Sequence, residues 1–353
     1  MALEPMAPDV AIAWQGLPPY AAACVREFAR RSGRRVLLIG TAADVPFESL
    51  PGIDGVETVL VDPADGGVAW STLGGRIPRR LCVAGWAVPA FNALARQVRA
   101  AGGKVALLMD NRWRGDLRQW VAPVAFRVGH RGQFTAAFVP GASARRYATW
   151  LGLPADRVFT GLYGADPDIF RPGPPLARRP RRLLFVGRLE PRKGVRELFE
   201  AWRQVHAGLP DWELRLIGTG PLGTAAPALP RLTIGDFLQP AALAPEYRAA
   251  RFLVLPSHED HWGLVVHEAT LSGCGLVLSR NVGARHDLAS ARNAIVVPPR
   301  DAAGLAVGLE TAARLSDAAL DAAGAESLAL AERFGPATFA AGLERVLGTL
   351  EAV

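Results

Sequence analysis

The sequence is short of cysteine, of lysine and of long apolar runs, and each shortage excludes something. Its three cysteines, Cys24, Cys82 and Cys274, form no CxxC pair and have no histidine at metal-ligand spacing. A disulfide framework is thereby excluded, and a reduced cytoplasmic compartment is the expectation. No run of about 18 apolar residues occurs, so no membrane-spanning helix is expected. The opening MALEPMAP has neither the basic cluster nor the apolar core of a secretory leader. Lysine is confined to Lys104 and Lys193, which leaves arginine to supply nearly all of the 40 basic residues.

What is present describes a globular chain. Hydrophobic residues make up 50% and charged ones 21%, which excludes a disordered or fibrous protein. At 353 residues the chain exceeds what one core usually organises, so two domains are expected. The net charge is +7, yet the densest basic cluster, Arg30, Arg31, Arg34 and Arg35, lacks the interleaved aromatics of a base-stacking surface. Nucleic acid is therefore not an expected partner. With Arg26, a helix expected over 18–32 places the cluster on or near one side of the first domain, where it reads either as a solvated face or as a peripheral contact for anionic membrane lipid.

Short runs rich in Val, Ile and Leu recur along the chain, separated by helical patterns and Gly/Pro punctuation, as in parallel sheets buried on both faces. Seven strands are expected in the first half, at 10–14, 35–40, 57–62, 81–85, 104–110, 135–141 and 158–161. Six follow in the second half, at 182–187, 212–218, 231–236, 251–257, 275–280 and 294–299. Between the two series, RPGPPLARRPRR (171–182) has four prolines, five arginines and no apolar periodicity, and reads as a linker. The expected architecture is α/β: a first doubly wound domain over 1–170 and a second over 183–335, facing each other across a ligand-binding cleft. A terminal helix over 336–353, with Phe339, Leu343, Val346, Leu347 and Leu350 on one face, would pack back toward the first domain.

Three stretches of the second half carry candidate chemistry. LLFVGRLEPRKG (183–194) is a strand and turn that offers Gly187, Arg188 and Lys193 just before a helix from about Val195, a setting that favours a phosphate. LRLIGTGPLG (214–223) ends in a turn where Gly218 and Gly220 would let a ligand approach the backbone. Pro221 and the Ala/Pro run after it spoil the helix that a dinucleotide fingerprint needs. VLPSHEDHWGLVVHEATLSG (254–273) places the loop HEDHW at a strand's carboxyl end and a short helix after it. Asp260 and Glu268 stand eight residues apart, suited to sugar or ribose hydroxyls. The amides of Gly263, Leu264 and Val265, beside Trp262, are available to phosphate oxygens.

In this order and spacing GRLEPRKG, GTGP and SHEDHWGLVVHEA resemble the donor-binding half of the retaining GT-B glycosyltransferases of the large group-1 class, glycosyltransferase family 4. The resemblance extends back through VPGASARRYATWLGLPADRVFTGLYGADPDIF (139–170) and covers most of 134–300. It implies a GT-B fold and sugar transfer with retention from a UDP- or GDP-linked donor to a carbohydrate or lipid-linked acceptor, in polysaccharide or glycoconjugate synthesis. Arg188, Lys193, Asp260 and Glu268 would form the catalytic set, with no resident cofactor and no metal. Asp260 departs from the class, which usually has Glu at that position. The first domain departs further: in WQGLPPY (14–20) only Gly16 could stand for the class's glycine-rich loop, and Asp110, Asn111, Arg112 and Arg114 crowd one strand end. That crowding calls for a polar acceptor or for an internal Asp–Arg pair. Asp166 and Asp168 admit a divalent-metal reading, which the metal-independent class does not need. A nucleotide-sugar epimerase of the same fold and a non-catalytic nucleotide-sugar or polyanion binder are the alternative functions.

Overall fold

A computed structural model of the chain describes residues 8–42, 52–75, 77–130 and 132–352. The leader reading of the first residues falls on 1–7, outside the described residues. The chain forms two units, Met1–Gly164 with Phe334–Val353, and Ala165–Arg333.

In the first unit seven parallel strands run β1 (Val10–Trp14), β2 (Val36–Gly40), β3 (Val56–Leu60), β4 (Arg80–Ala84), β5 (Lys104–Leu108), β6 (Ala136–Val139) and β7 (Val158–Thr160), in the spatial order 3-2-1-4-5-6-7. Both β1 and β2 are buried along their whole length, which is why they read as unbroken apolar runs. Its helices are α1 (Pro19–Ser32), α2 (Pro89–Ala100), α3 (Leu117–His130) and α4 (Ala142–Trp150). In α2, Phe91, Leu94 and Val98 pack on Leu37, Ile39, Leu81 and Val83 of the sheet.

The second unit repeats the scheme with β8 (Arg182–Val186), β9 (Glu213–Ile217), β10 (Leu232–Gly235), β11 (Phe252–Leu255), β12 (Gly275–Ser279) and β13 (Ala294–Val297), in the order 10-9-8-11-12-13. Its helices are α5 (Val195–Val205), α6 (Pro221–Thr224), α7 (Pro240–Ala249), α8 (Leu264–Leu271), α9 (Arg285–Leu288), α10 (Ala302–Ala313) and α11 (Asp317–Ala331). The last helix, α12 (Pro336–Ala352), belongs to the first unit, where it lies against α1 with Phe339, Leu343, Val346, Leu347 and Leu350 buried.

Every one of the thirteen expected strands is present, with bounds shifted by at most two residues. The strand order reverses between β1 and β4 in one unit and between β8 and β11 in the other, and the carboxyl ends beside such a reversal are where ligands bind in open α/β sheets.

Two expectations change. The proline-arginine stretch 171–182 is no open linker, and the division falls earlier, at Gly164. Arg179 is 4% exposed, and its guanidinium donates to the carbonyls of Pro174, Tyr247, Ala250 and Ser272, so the segment is tied into the second unit. The arginines that end and follow α1 are no bare cationic face either. Arg30 and Arg31 pair with Glu27 at 2.9 and 2.6 Å, Arg34 reaches Glu344 and Glu351 on α12, and Arg35 reaches Asp9. Such exposed pairs add little stability, but they spend the charge locally.

Candidate functional site

The three motif stretches of the second unit meet at the ends of β8, β9 and β11, and backbone hydrogen bonds bind them to one another. Gly187 N–H donates to Ile217, Leu189 N–H to Thr219, Leu222 N–H to Leu189 and His258 N–H to Arg192. The glycines serve this packing. A Cβ on Gly218 would fall on the Gly187 carbonyl, and one on Gly220 on the Leu189 carbonyl. The close approach the structure shows at these two positions is that of the neighbouring loop. Gly194, at φ 73° before α5, meets the Pro256 carbonyl in the same way.

This stacking brings Lys193 and Asp260, 67 residues apart in sequence, to 2.7 Å, with side chains only 17% and 12% exposed. A charge-assisted hydrogen bond in such shelter fixes both groups and leaves two ammonium N–H groups for ligand oxygens. The loop bearing Asp260 is braced from behind. Asp260 N–H donates to the Asn281 carbonyl, the Asn281 amide donates to the His258 carbonyl, and His258 Nε2 lies 2.9 Å from Glu197 on α5. Arg188 stands in contrast: it is 63% exposed and only leans on Glu190 at 3.5 Å. Arg192 is occupied by Glu190 and by the Glu259 carbonyl.

Trp262 is buried and Gly263, at φ 86°, caps the start of α8, so Leu264 and Val265 occupy its half-exposed first turn while Val266 and Ala269 face the core. That turn presents N–H groups at the positive end of a helix dipole. Glu268 is less open than expected. It is 9% exposed, and one oxygen accepts from the Tyr247 hydroxyl at 2.7 Å. Burial pushes its carboxyl up to about 7 against the opposing effect of that hydrogen bond, so it sits at the edge of ionisation near neutral pH. Next to it His267 is fully buried, accepting at Nδ1 from Ala165 N–H and facing the Ala331 carbonyl through Nε2. Burial lowers its pKa to about 4, so it is neutral and ties both ends of the second unit to α8. Tyr247 carried no sequence signal beyond being the one aromatic of α7.

In the first unit the reversal between β1 and β4 opens a cavity of about 510 Å³. Trp14, Tyr20, Trp86, Met109, Asp110 and Tyr163 line it, with Asn111 at its side. The rings of Trp14, Tyr20 and Tyr163 lie 5.1–6.2 Å from one another. The Tyr163 hydroxyl donates to Asp110 at 3.0 Å. Burial first, and the Asp110 charge second, raise the Tyr20 phenol. Of the four acceptor-side residues expected, Asp110 and Asn111 are therefore together, and the other two are elsewhere. Arg114 turns to Asp116 at 2.9 Å, and Gly16 shapes the turn behind Trp14 by donating to Thr41. Asp166 forms a local turn with the Asp168 N–H, and the described residues hold no cluster of three or more His, Cys, Asp or Glu side chains at metal-binding spacing.

Residues 180–314 match the family model for "Glycosyl transferases group 1". A D-inositol 3-phosphate glycosyltransferase of Thermobispora bispora is 34% identical over 221 residues, which cover 55% of this chain and 50% of that protein. The chain thus matches about half the length of such curated relatives. Among solved structures, the Anabaena HepE protein in complex with UDP and glucose superposes with a TM-score of 0.71 at 16% identity, covering 97% of this chain and 100% of that one. Sucrose-phosphate synthase from Thermosynechococcus elongatus gives 0.72 at 18% identity, over 97% and 99%. The two Rossmann-like units are those of a GT-B fold, and the stretch that matches, residues 180–314 of the second unit, is similar to the group 1 glycosyltransferases.

Proposed function

We propose that the chain transfers a sugar from a nucleoside-diphosphate sugar to an acceptor with retention of configuration, the donor held by the second unit and the acceptor by the aromatic pocket of the first. The observation that carries the reading is the sheltered Lys193–Asp260 pair at the meeting of three loops, with an open Arg188 on the same turn. The HepE structure contains UDP and glucose, so a UDP-linked hexose is the first donor to test.

In this reading the departing diphosphate is the main catalytic problem. Lys193, held in place by Asp260, and Arg188 would neutralise the charge that grows on its oxygens, and the first-turn amides of α8 would receive the rest. The leaving oxygen would then take the acceptor's proton on the face of the sugar it has left, with no covalent intermediate. Asp260, fixed beside the ammonium, would orient the sugar. Glu268, with an oxygen beyond the one Tyr247 uses, would take the ribose hydroxyls. The positive charge comes from side chains, so no divalent ion is needed and activity is expected to survive a chelator. An aromatic wall with one carboxylate suits a hydroxyl-bearing ring, whose C–H face stacks on Trp14 or Tyr163 while a hydroxyl donates to Asp110.

The test is the release of UDP from a panel of UDP-sugars with and without candidate acceptors, alongside thermal shift with the same sugars. Acceptor-dependent release supports transfer. Interconversion of sugars without an acceptor would make the protein an epimerase, and a thermal shift with no turnover on any acceptor would make it a binder.

A further inference from the structure

Of the nine large apolar side chains exposed among the described residues, five lie on one helix, α3: Leu117, Trp120, Val121, Val124 and Val128. At 100° per residue, Leu117, Val121, Val124 and Val128 fall within an arc of about 60°, with Trp120 at its margin. The opposite face is already used, since Gln119, Pro123 and Phe126 are buried and Phe126 stacks on Phe134 and meets Trp86 edge-on. The helix therefore has two apolar faces, and among the described residues of its own unit only one is covered.

The exposed face is rimmed by positive charge. Arg118 lies about 100° to one side of the stripe and Arg127 about 80° to the other. Both are exposed, and neither has a carboxylate partner among the described residues. The only acid from 111 to 130 is Asp116, which is held by Arg114. Trp120 packs edge-on against Trp113 and Trp150, and its indole N–H donates to the Gly115 carbonyl, so a rigid amphipathic ring system stands at the edge of the stripe. At the end of α1 and just beyond it, by contrast, Arg30 and Arg31 are spent on Glu27, Arg34 on Glu344 and Glu351, and Arg35 on Asp9.

An apolar stripe between arginines, with an aromatic at its margin, has the form of a helix that lies in the plane of a bilayer interface. A second copy of this chain, seated on the same face about a two-fold axis, would bring like arginines together. Charge complementarity selects an anionic lipid surface instead. We propose that α3 docks the first unit on anionic membranes, with Leu117, Val121, Val124 and Val128 among the acyl chains and Arg118 and Arg127 on lipid phosphates. The segment Leu108–Asn111 that walls the aromatic pocket runs on through Arg112–Asp116 into this helix, which suits an acceptor carried by a lipid. Docking itself stands apart from the transferase reading and is measured without any sugar substrate.

The test is co-sedimentation of the full chain with phosphatidylglycerol/phosphatidylcholine vesicles and with phosphatidylcholine alone, at low and high salt. Wild type is expected to sediment with the anionic vesicles only, and to be released by salt. The exposed triple variant V121Q/V124Q/V128Q should keep its melting temperature within a few degrees and lose at least about tenfold in partitioning. R118Q/R127Q should lose roughly fivefold for each arginine, whereas R30Q/R31Q on α1 should partition within about twofold of wild type. Absence of anionic binding at low salt overturns the proposal, as does wild-type partitioning by both α3 variants. A dimer in sedimentation velocity that the triple variant splits would assign the face to a second copy and overturn it equally.

Discussion

The two sites at the two strand-order reversals are built in opposite ways. In the second unit the site is backbone laid on backbone: three loops share hydrogen bonds, glycines remove the Cβ atoms that would part them, and charged groups are held as partners. In the first unit the site is side chains around a void, with rings from β1, α1 and the segment after β7, and one carboxylate after β5. A backbone site is preorganised for a fixed and highly charged ligand and tolerates little change. A pocket of rings can alter its shape by substitution without disturbing the sheet. If the proposed transfer holds, such a scaffold could keep its donor chemistry while changing its acceptor.

The most severe way to break the contrast is at Lys193. Lys193→Ala should lower transfer by two to three powers of ten, because a positioned cation on a leaving group is worth that much. It also leaves Asp260 without its partner, so Lys193→Ala/Asp260→Asn is the companion. The double variant should regain any lost thermal stability and none of the activity. Arg192→Ala, whose side chain is engaged with Glu190, should stay within a fewfold of wild type. Equal losses in Lys193→Ala and Arg192→Ala would mean that the turn matters for folding rather than for charge.

A smaller effect is expected at Glu268. Burial raises its folded pKa to about 7, so the folded protein binds this proton more tightly than the unfolded chain does. Its contribution is fully favourable below the unfolded value, near 4.5, and is lost as pH rises toward 7. Glu268→Gln removes that titration while the amide can still accept from Tyr247. The stability difference between Glu268→Gln and wild type should therefore grow in the variant's favour, by on the order of 2 kcal/mol between pH 5 and pH 8. His267 acts with the opposite sign, since its pKa is depressed to about 4 and its contribution is lost as pH falls from 6.5 toward 4. The two partly cancel in wild type, so urea melts of Glu268→Gln should show the His267 slope uncovered. A pH-independent difference would mean that Glu268 is ionised throughout.

How much of this was legible in the sequence follows the same contrast. The thirteen strands were legible because parallel strands buried on both faces are uninterrupted apolar runs, as in VLLIG and FLVL. The motif loops were legible because each is contiguous. The Lys193–Asp260 pair was not, since it depends on β8 and β11 being neighbours, a fact of strand order rather than of local pattern. Arg179 misled for a related reason. In a run of prolines and arginines it reads as solvated, and only the carbonyls at Tyr247, Ala250 and Ser272 make it a core residue. The aromatic pocket was invisible because Trp14 and Tyr163 lie far apart in sequence. The exposed stripe of α3 was equally hidden, because LRQWVAPVAFRV is apolar around the helix and does not reveal which face is covered.

The mildest prediction separates the two sites. Tyr163→Phe keeps the ring against Trp14 and Tyr20 and removes only the hydroxyl that donates to Asp110. Asp110 is half-exposed and water can replace that donor, so the loss of stability should be about 1 kcal/mol or less. The proposed nucleotide site lies in the other unit, so nucleotide affinity should stay within about twofold. The acceptor's KM should rise severalfold at most, because a carboxylate freed from Tyr163 can still accept from a substrate hydroxyl. Asp110→Asn sharpens the result: it keeps an acceptor oxygen and removes the charge, which should lower the Tyr20 phenol toward its ordinary value while burial keeps it raised. Spectrophotometric titration of the tyrosines checks the second point and steady-state kinetics the first. A fall in nucleotide affinity in either variant would show that the two sites are not independent, and the contrast between them would not hold.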